Sequence, residues 1–339
     1  RSTERSYGEM VGRILWMSRR FGRLGGDASP HPVVPFRPFS GKVSIIGGAA
    51  PSPRGAEFSK RSGRGVRAPR RQLAMGFIIG LTATLLPADD RISFGQIESR
   101  ALGRTLPVAV VAPAKPPAGD GAILFLLHGR GRHHRSLLEA PAARAALLAA
   151  PFHVVLPQGE DGWYIDSPAQ PADRYGAYLE EVIAWAEKTL PAGRTAAKRG
   201  IVGWSMGGYG AVRFAQTHPG RFGFVGSVIG LLDFPRAENL PEGQNYRVPT
   251  PRFTANPAIW ATLNPRHAVA ALRGSAVTLV LATRGFERTM NEHFLAALEA
   301  QRLSARVHWL EGGHEFAIVE RAVPLVLADA AKSLGERAR

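Results

Sequence analysis

The chain reads as an α/β protein with a mostly parallel central sheet and helices on both faces. Three observations predict this. Short apolar runs of strand length alternate with helix-period runs from Ile92 onward. One of them, Ala122-Ile123-Leu124-Phe125-Leu126-Leu127, is continuously apolar, as expected of a strand buried on both faces. A serine flanked by glycines, Gly203-Trp204-Ser205-Met206-Gly207, stands between a strand-like run and a helix-like run.

Taken in order, residues 97–100 and 106–112 predict a hairpin, and 122–127 a buried strand ending in His128-Gly129. An Ala/Leu-rich helix is expected over 141–150 and a strand over 153–157. A helix over 173–190 places Leu179, Val182, Ile183 and Ala186 on one face. Arg199-Gly200-Ile201-Val202 is the strand that enters the serine turn, and 209–218 the helix that leaves it. Strands at 224–229 and 277–282, a helix at 291–301 and a strand at 306–310 follow, the last leading into Gly312-Gly313-His314. The stretch 231–263 is rich in Pro, Asn and charge, without a clear period. It is long for a plain loop and is expected to form irregular structure over the site, where it would shape substrate choice.

Composition narrows the function classes. The chain has 339 residues and no cysteine, which excludes disulfides, a thiolate nucleophile and Cys-type zinc sites. The formal charge of +16 suggests nucleic acid at first sight. However, residues 1–74 hold fifteen Lys/Arg against four Asp/Glu, leaving 28 against 23 for the rest. The basic character therefore sits mostly in an N-terminal stretch, and no dense basic stripe interleaved with aromatics follows it, so no specific nucleic-acid partner is expected.

Residues 1–69, rich in Arg, Gly, Pro and Ser, read as a disordered basic extension. Residues 70–90 read as a signal-peptide-like segment: Arg70-Arg71 precede fourteen mostly apolar residues, a run too short for a comfortable membrane span. Export to the periplasm or beyond is the expectation. Residues 91–339 would be the catalytic domain.

The chemistry follows from the serine. A strand–turn–helix elbow lifts a hydroxyl above the sheet, close to the positive end of the following helix. Such a hydroxyl needs a base and oxyanion donors to act as a nucleophile. His314, on a Gly-Gly turn after the last strand, is the expected base. The N–H groups of Met206 and of Arg130, in the His128-Gly129-Arg130-Gly131 loop, are the expected oxyanion donors. The arginine side chain is unusual beside such a site. For the acid, Glu287 after the strand 277–282 is the first choice, Asp233 the second and Glu292 the third. His128, His133 and His134 lack a neighbouring carboxylate, so a metal site is not expected there.

With these pieces in place, residues 95–334 resemble the esterase D / tributyrin esterase / antigen 85-type branch of the α/β-hydrolases. The resemblance rests on Leu126-Leu127-His128-Gly129, on Gly162-Trp163-Tyr164-Ile165-Asp166-Ser167-Pro168, on the helix start at 175–182, on Gly203-Trp204-Ser205-Met206-Gly207-Gly208-Tyr209-Gly210, on Asn264-Pro265 and on Gly312-Gly313-His314. It implies an α/β-hydrolase fold, a serine carboxylesterase acting on small-molecule, short-chain esters through an acyl-enzyme, and no metal or organic cofactor. It also implies that the Gly-Trp-Tyr segment borders the cleft, with Trp163, His128 and Gly129 as substrate-binding residues; a core tryptophan is the equal alternative for Trp163. The chain departs from the resemblance at the acid, where relatives carry an aspartate and this sequence offers Glu287. An acyltransferase with an alcohol or sugar acceptor, and a non-catalytic binding protein on the same scaffold, are the alternatives. Oligomeric state is not legible.

Overall fold

The computed structural model describes residues 89–336, apart from 116 and 118. The extension at 1–69 and the apolar run at 73–86 lie outside the described residues. The described residues form an eight-stranded sheet in the order β1-β2-β4-β3-β5-β6-β7-β8. Its strands are β1 (Ile92–Ser99), β2 (Arg104–Val111), β3 (Ile123–Leu127), β4 (His153–Pro157), β5 (Arg199–Trp204), β6 (Phe224–Val228), β7 (Ala276–Ala282) and β8 (Arg306–Leu310). β2 runs antiparallel to β1 and β4, and every other pair is parallel. The expected hairpin is therefore present, starting earlier, at Ile92.

The strand period of two builds two cores from the same strands. Ile123, Phe125, Leu127, Ile201, Leu279 and Leu281 face one core. Leu124, Leu126, Val202, Trp204, Val280 and Ala282 face the other. The first core is covered by α2 (Tyr175–Thr189), α3 (Met206–Thr217) and α6 (Arg288–Ala300), whose apolar faces include Leu179, Val212 and Phe294. The second is covered by α1 (Pro141–Ala149) and α7 (Phe316–Glu336).

The sequence reading does not anticipate α7. Pro324 lies inside it and reads as a helix breaker. The helix forms because Ile318, Ala322, Val326 and Ala330, with Val319, Val323 and Leu327, make a continuous buried stripe at helical spacing. Two short helices, α4 (Thr250–Phe253) and α5 (Pro257–Leu263), interrupt the stretch 231–263, which otherwise lacks regular elements up to the 3₁₀ turns Pro265–Leu272.

The elbow between β5 and α3 carries Ser205 at φ 53°, ψ −118°, a conformation that costs about 1–3 kcal/mol and needs support around it. The Ser205 N–H donates to Val228 O at 2.9 Å. Its flanking glycines are required for room rather than for their own backbone angles. A Cβ on Gly203 would stand 2.3 Å from the Gly207 carbonyl, and one on Gly207 would stand 2.2 Å from Leu127 O. Since the obstacles are backbone atoms of the helix start and of β3, they cannot yield cheaply. We expect Gly207→Ala to cost about 3 kcal/mol, seen as a lowered urea midpoint with an unchanged m-value.

Candidate active site

The C-terminal ends of the parallel strands bring three sequence-distant residues into one chain of hydrogen bonds. Ser205 Oγ lies 2.8 Å from His314 Nε2, and His314 Nδ1 lies 2.8 Å from Glu287 Oε2. Because the carboxylate only accepts, Nδ1 carries the ring proton and Nε2 turns its lone pair to the serine hydroxyl. Glu287 is fully buried while His314 remains partly exposed, so the carboxylate is shielded and the imidazole is reachable.

The loop that carries Glu287 is fixed from behind. Asn291, one turn into α6, donates from Nδ2 to Glu287 O at 2.9 Å and to Gly230 O at 2.8 Å. A Cβ on Gly285 would fall 2.2 Å from the Glu287 carboxylate, so the glycine two residues earlier makes the room that this longer acid occupies.

The other two acids are engaged elsewhere. Asp233 accepts from His293 Nδ1 at 2.7 Å and from Asn264 Nδ2 at 2.8 Å, and it pairs with Arg236 and Arg266. Burial pushes its carboxyl up, but the His293 and Asn264 hydrogen bonds and the two arginines outweigh it and hold the group below the usual range. Glu292 is half-buried and pairs with Arg288 at 2.8 Å. Neither is hydrogen-bonded to His314. The strand that Asp233 follows, β6, delivers it to the α6 face instead.

Met206 is the first residue of α3, where a backbone N–H has no acceptor within the helix and the helix dipole is positive. Gly129 and Arg130 line the same cavity as Ser205 and His314, of about 190 Å³. The Arg130 side chain, unexpected beside such a site, acts as a strap. Its Nε donates to both oxygens of Asp161, at 3.0 and 3.1 Å, and its Nη1 donates to the Tyr246 hydroxyl at 3.0 Å. The Tyr246 ring stacks on Phe286 at 5.4 Å, and Phe286 packs against the His314 ring at 4.4 Å. The segment 231–263 thus reaches the 128–131 loop through Tyr246 and the His314 ring through Tyr246 and Phe286.

Trp163 and His128 do not line this cavity, whereas Gly129 does. Trp163 is 1% exposed and lies in an aromatic cluster, stacked on Phe234 at 5.0 Å and edge-on to Tyr209 and Phe253. It does not line the Ser205 cavity. The neighbouring Tyr164 is the residue of this segment that reaches the loop: its hydroxyl accepts from His128 N–H at 3.0 Å. His128 is buried beneath the cavity. Its Nδ1 donates to Gly129 O at 2.9 Å and its Nε2 accepts the Gly159 N–H at 2.8 Å. With both ring nitrogens so used, the imidazole ties two loops together and has no lone pair left for another ligand.

Sequence reasoning missed Tyr164, Tyr246, Phe286 and Asn291. Tyr164 and Phe286 had a signal, each lying next to a residue already singled out. Tyr246 and Asn291 act only through folding.

Burial drives the His128 ring down to about 4. An imidazole in the unfolded chain titrates near 6.5. The folded value is the lower one, so the unfolded chain takes up its proton first as pH falls. This contribution to stability is whole above about pH 6.5, shrinks by about 1.4 kcal/mol per pH unit down to about pH 4, and then levels off. Urea midpoints measured from pH 7 to 4 should fall across that window. His128→Gln should show a smaller fall, whatever its midpoint at pH 7.

The strand order, with the serine elbow at the C-terminal end of β5, makes this an α/β-hydrolase fold. Residues 99–317 match the Esterase family ("Putative esterase"), and the chain belongs to that family. It is similar to the MPT51/MPB51 antigen of Mycobacterium tuberculosis, 32% identical over 142 residues, 40% of this chain and 44% of that protein. It is also similar to an acetyl esterase of Caldicellulosiruptor saccharolyticus, 33% identical over 122 residues, 35% of this chain and 45% of that protein. The match spans less than half the length of these curated relatives. Among solved structures, an S-formylglutathione hydrolase from Agrobacterium tumefaciens superposes with a TM-score of 0.61 at 18% identity, covering 72% of this chain and 95% of the other. At that identity the likeness speaks for the fold alone.

Proposed function

We propose that this protein is a serine carboxylesterase acting on small-molecule esters. The observation that carries the reading is the Ser205–His314–Glu287 chain of hydrogen bonds, with both links at 2.8 Å. Ser205 attacks the ester carbonyl as His314 Nε2 takes its proton. The N–H groups of Met206 and Arg130 hold the oxyanion. The imidazolium, stabilised by Glu287, then protonates the leaving alcohol. Water repeats the sequence on the acyl-enzyme and releases the acid. The cavity of about 190 Å³ is small, which supports short acyl chains.

Membership of the Esterase family supports ester hydrolysis as the reaction class. The non-catalytic alternative rested on the missing aspartate, and a glutamate in hydrogen-bond contact with the histidine removes that motive. Export rests on Arg70-Arg71 and the apolar run after them. Among the described residues no helix is long and apolar enough to cross a membrane. The test is hydrolysis of 4-nitrophenyl acetate and butyrate, together with the Ser205→Ala variant considered below. Product analysis with excess polyol separates hydrolysis from acyl transfer: free acid should dominate.

A further inference from the structure

The cavity in front of Ser205 is lined by two arginines, Arg130 and Arg132, and they are not equivalent. Arg130 is spent on Asp161 and Tyr246. Arg132 is exposed, and no carboxylate of the described residues forms a salt bridge with it. Its guanidinium lies over the Phe316 ring, 4.3 Å from the centroid. A guanidinium placed over a ring by its central carbon still has N–H donors to offer, and a carboxylate can take two of them.

The ring beneath it is well placed. Phe316 begins α7 two residues after His314, and it packs at 6.4 Å against Trp204, the residue before Ser205. The residue before Ser205 therefore packs on the platform over which Arg132 rests. Glu315 is the only acid lining the cavity; its Oε1 accepts the Gly313 N–H at 3.4 Å, and it forms no salt bridge with either arginine.

Resting on the esterase reading, we infer that Arg132 recognises an anionic group on the alcohol part of the ester. The alcohol side follows from the chemistry: His314 must protonate the leaving oxygen, so the alcohol runs past His314, where the Phe316 platform lies. The substrate class is then an acyl ester of a hydroxy acid, with its carboxylate held by Arg132.

The test compares kcat/KM for 4-acetoxybenzoate with that for its neutral methyl ester, taken as a ratio so that intrinsic ester reactivity cancels between variants. Arg132→Gln should lower the anionic-to-neutral ratio about tenfold, the scale of one exposed charge-assisted contact. Arg135→Gln removes the same charge from the same loop, but that arginine lies over Phe94, away from the cavity, so the ratio should stay near wild type. The wild-type ratio should also fall as salt rises. A ratio that Arg132→Gln leaves within about twofold, or that Arg135→Gln lowers equally, overturns the inference. Failure of the esterase reading looks different, as neither ester would be turned over. The same comparison is then read as dissociation constants in the Ser205→Ala background, with the same expected tenfold loss of anion preference in Arg132→Gln.

Discussion

Ser205→Ala is expected to lower kcat on 4-nitrophenyl butyrate by about 10⁴-fold or more, with KM and the urea midpoint little changed. The loss is large because, in the proposed reaction, the serine oxygen forms the covalent bond and no neighbouring group can replace it. What remains is the background from substrate binding and oxyanion donors. The fold is spared because the strained elbow is held by backbone: Ser205 N–H donates to Val228 O, and the hydroxyl's one partner is His314. Alanine also relieves the wild-type hydroxyl of no structural duty. A variant that folds normally and keeps more than about a tenth of the activity would place the nucleophile elsewhere and remove the proposed reaction from this site.

The second large effect concerns the acid. Glu287→Gln is expected to lower kcat by about 10³–10⁴-fold while the protein stays folded. The amide keeps the shape of the side chain and can still touch His314 Nδ1, but it carries no charge to stabilise the imidazolium. In its other orientation it donates to Nδ1 and so selects the tautomer whose Nε2 cannot act as a base. Asp233→Asn is the informative comparison. Asp233 is tied to His293, Asn264 and two arginines, so its loss should reduce stability and leave kcat within a few-fold. If Asp233→Asn abolished turnover and Glu287→Gln did not, the hydrogen bond at 2.8 Å between Glu287 and His314 would have no part in the chemistry.

Much of this molecule was legible before folding, and the legible parts share a property. Each strand and helix expected from periodicity has a counterpart, since burial on one or both faces writes itself into spacing along the chain. The elbow was legible because its requirement is local: Gly203 and Gly207 must lack side chains for a turn only five residues long to close. The terminal Gly-Gly-His announced itself in the same way. The helix at Phe316–Glu336 was hidden by Pro324, a local signal that tertiary burial of Val319, Val323 and Leu327 overrides.

The sequence by itself determined the fold class, the serine and the histidine placed to meet it, because the residues around each already state the turn, the strand end and the helix start. Only the tertiary structure decided the carboxylate, the duty of the Gly-Trp-Tyr segment and the use of Arg130. Glu287 and Asp233 both follow strands of the same sheet, and position along the chain ranks them without excluding either. The choice is made by what each meets across the fold: His314 for one, His293 with Asn264 and two arginines for the other. Trp163 and Tyr164 are neighbours in sequence, yet one turns into the aromatic core and the other to the His128 loop. Partners distant along the chain set the charge and hydrogen bonding of a site, and a sequence read alone shows the groups but not which of them will face each other.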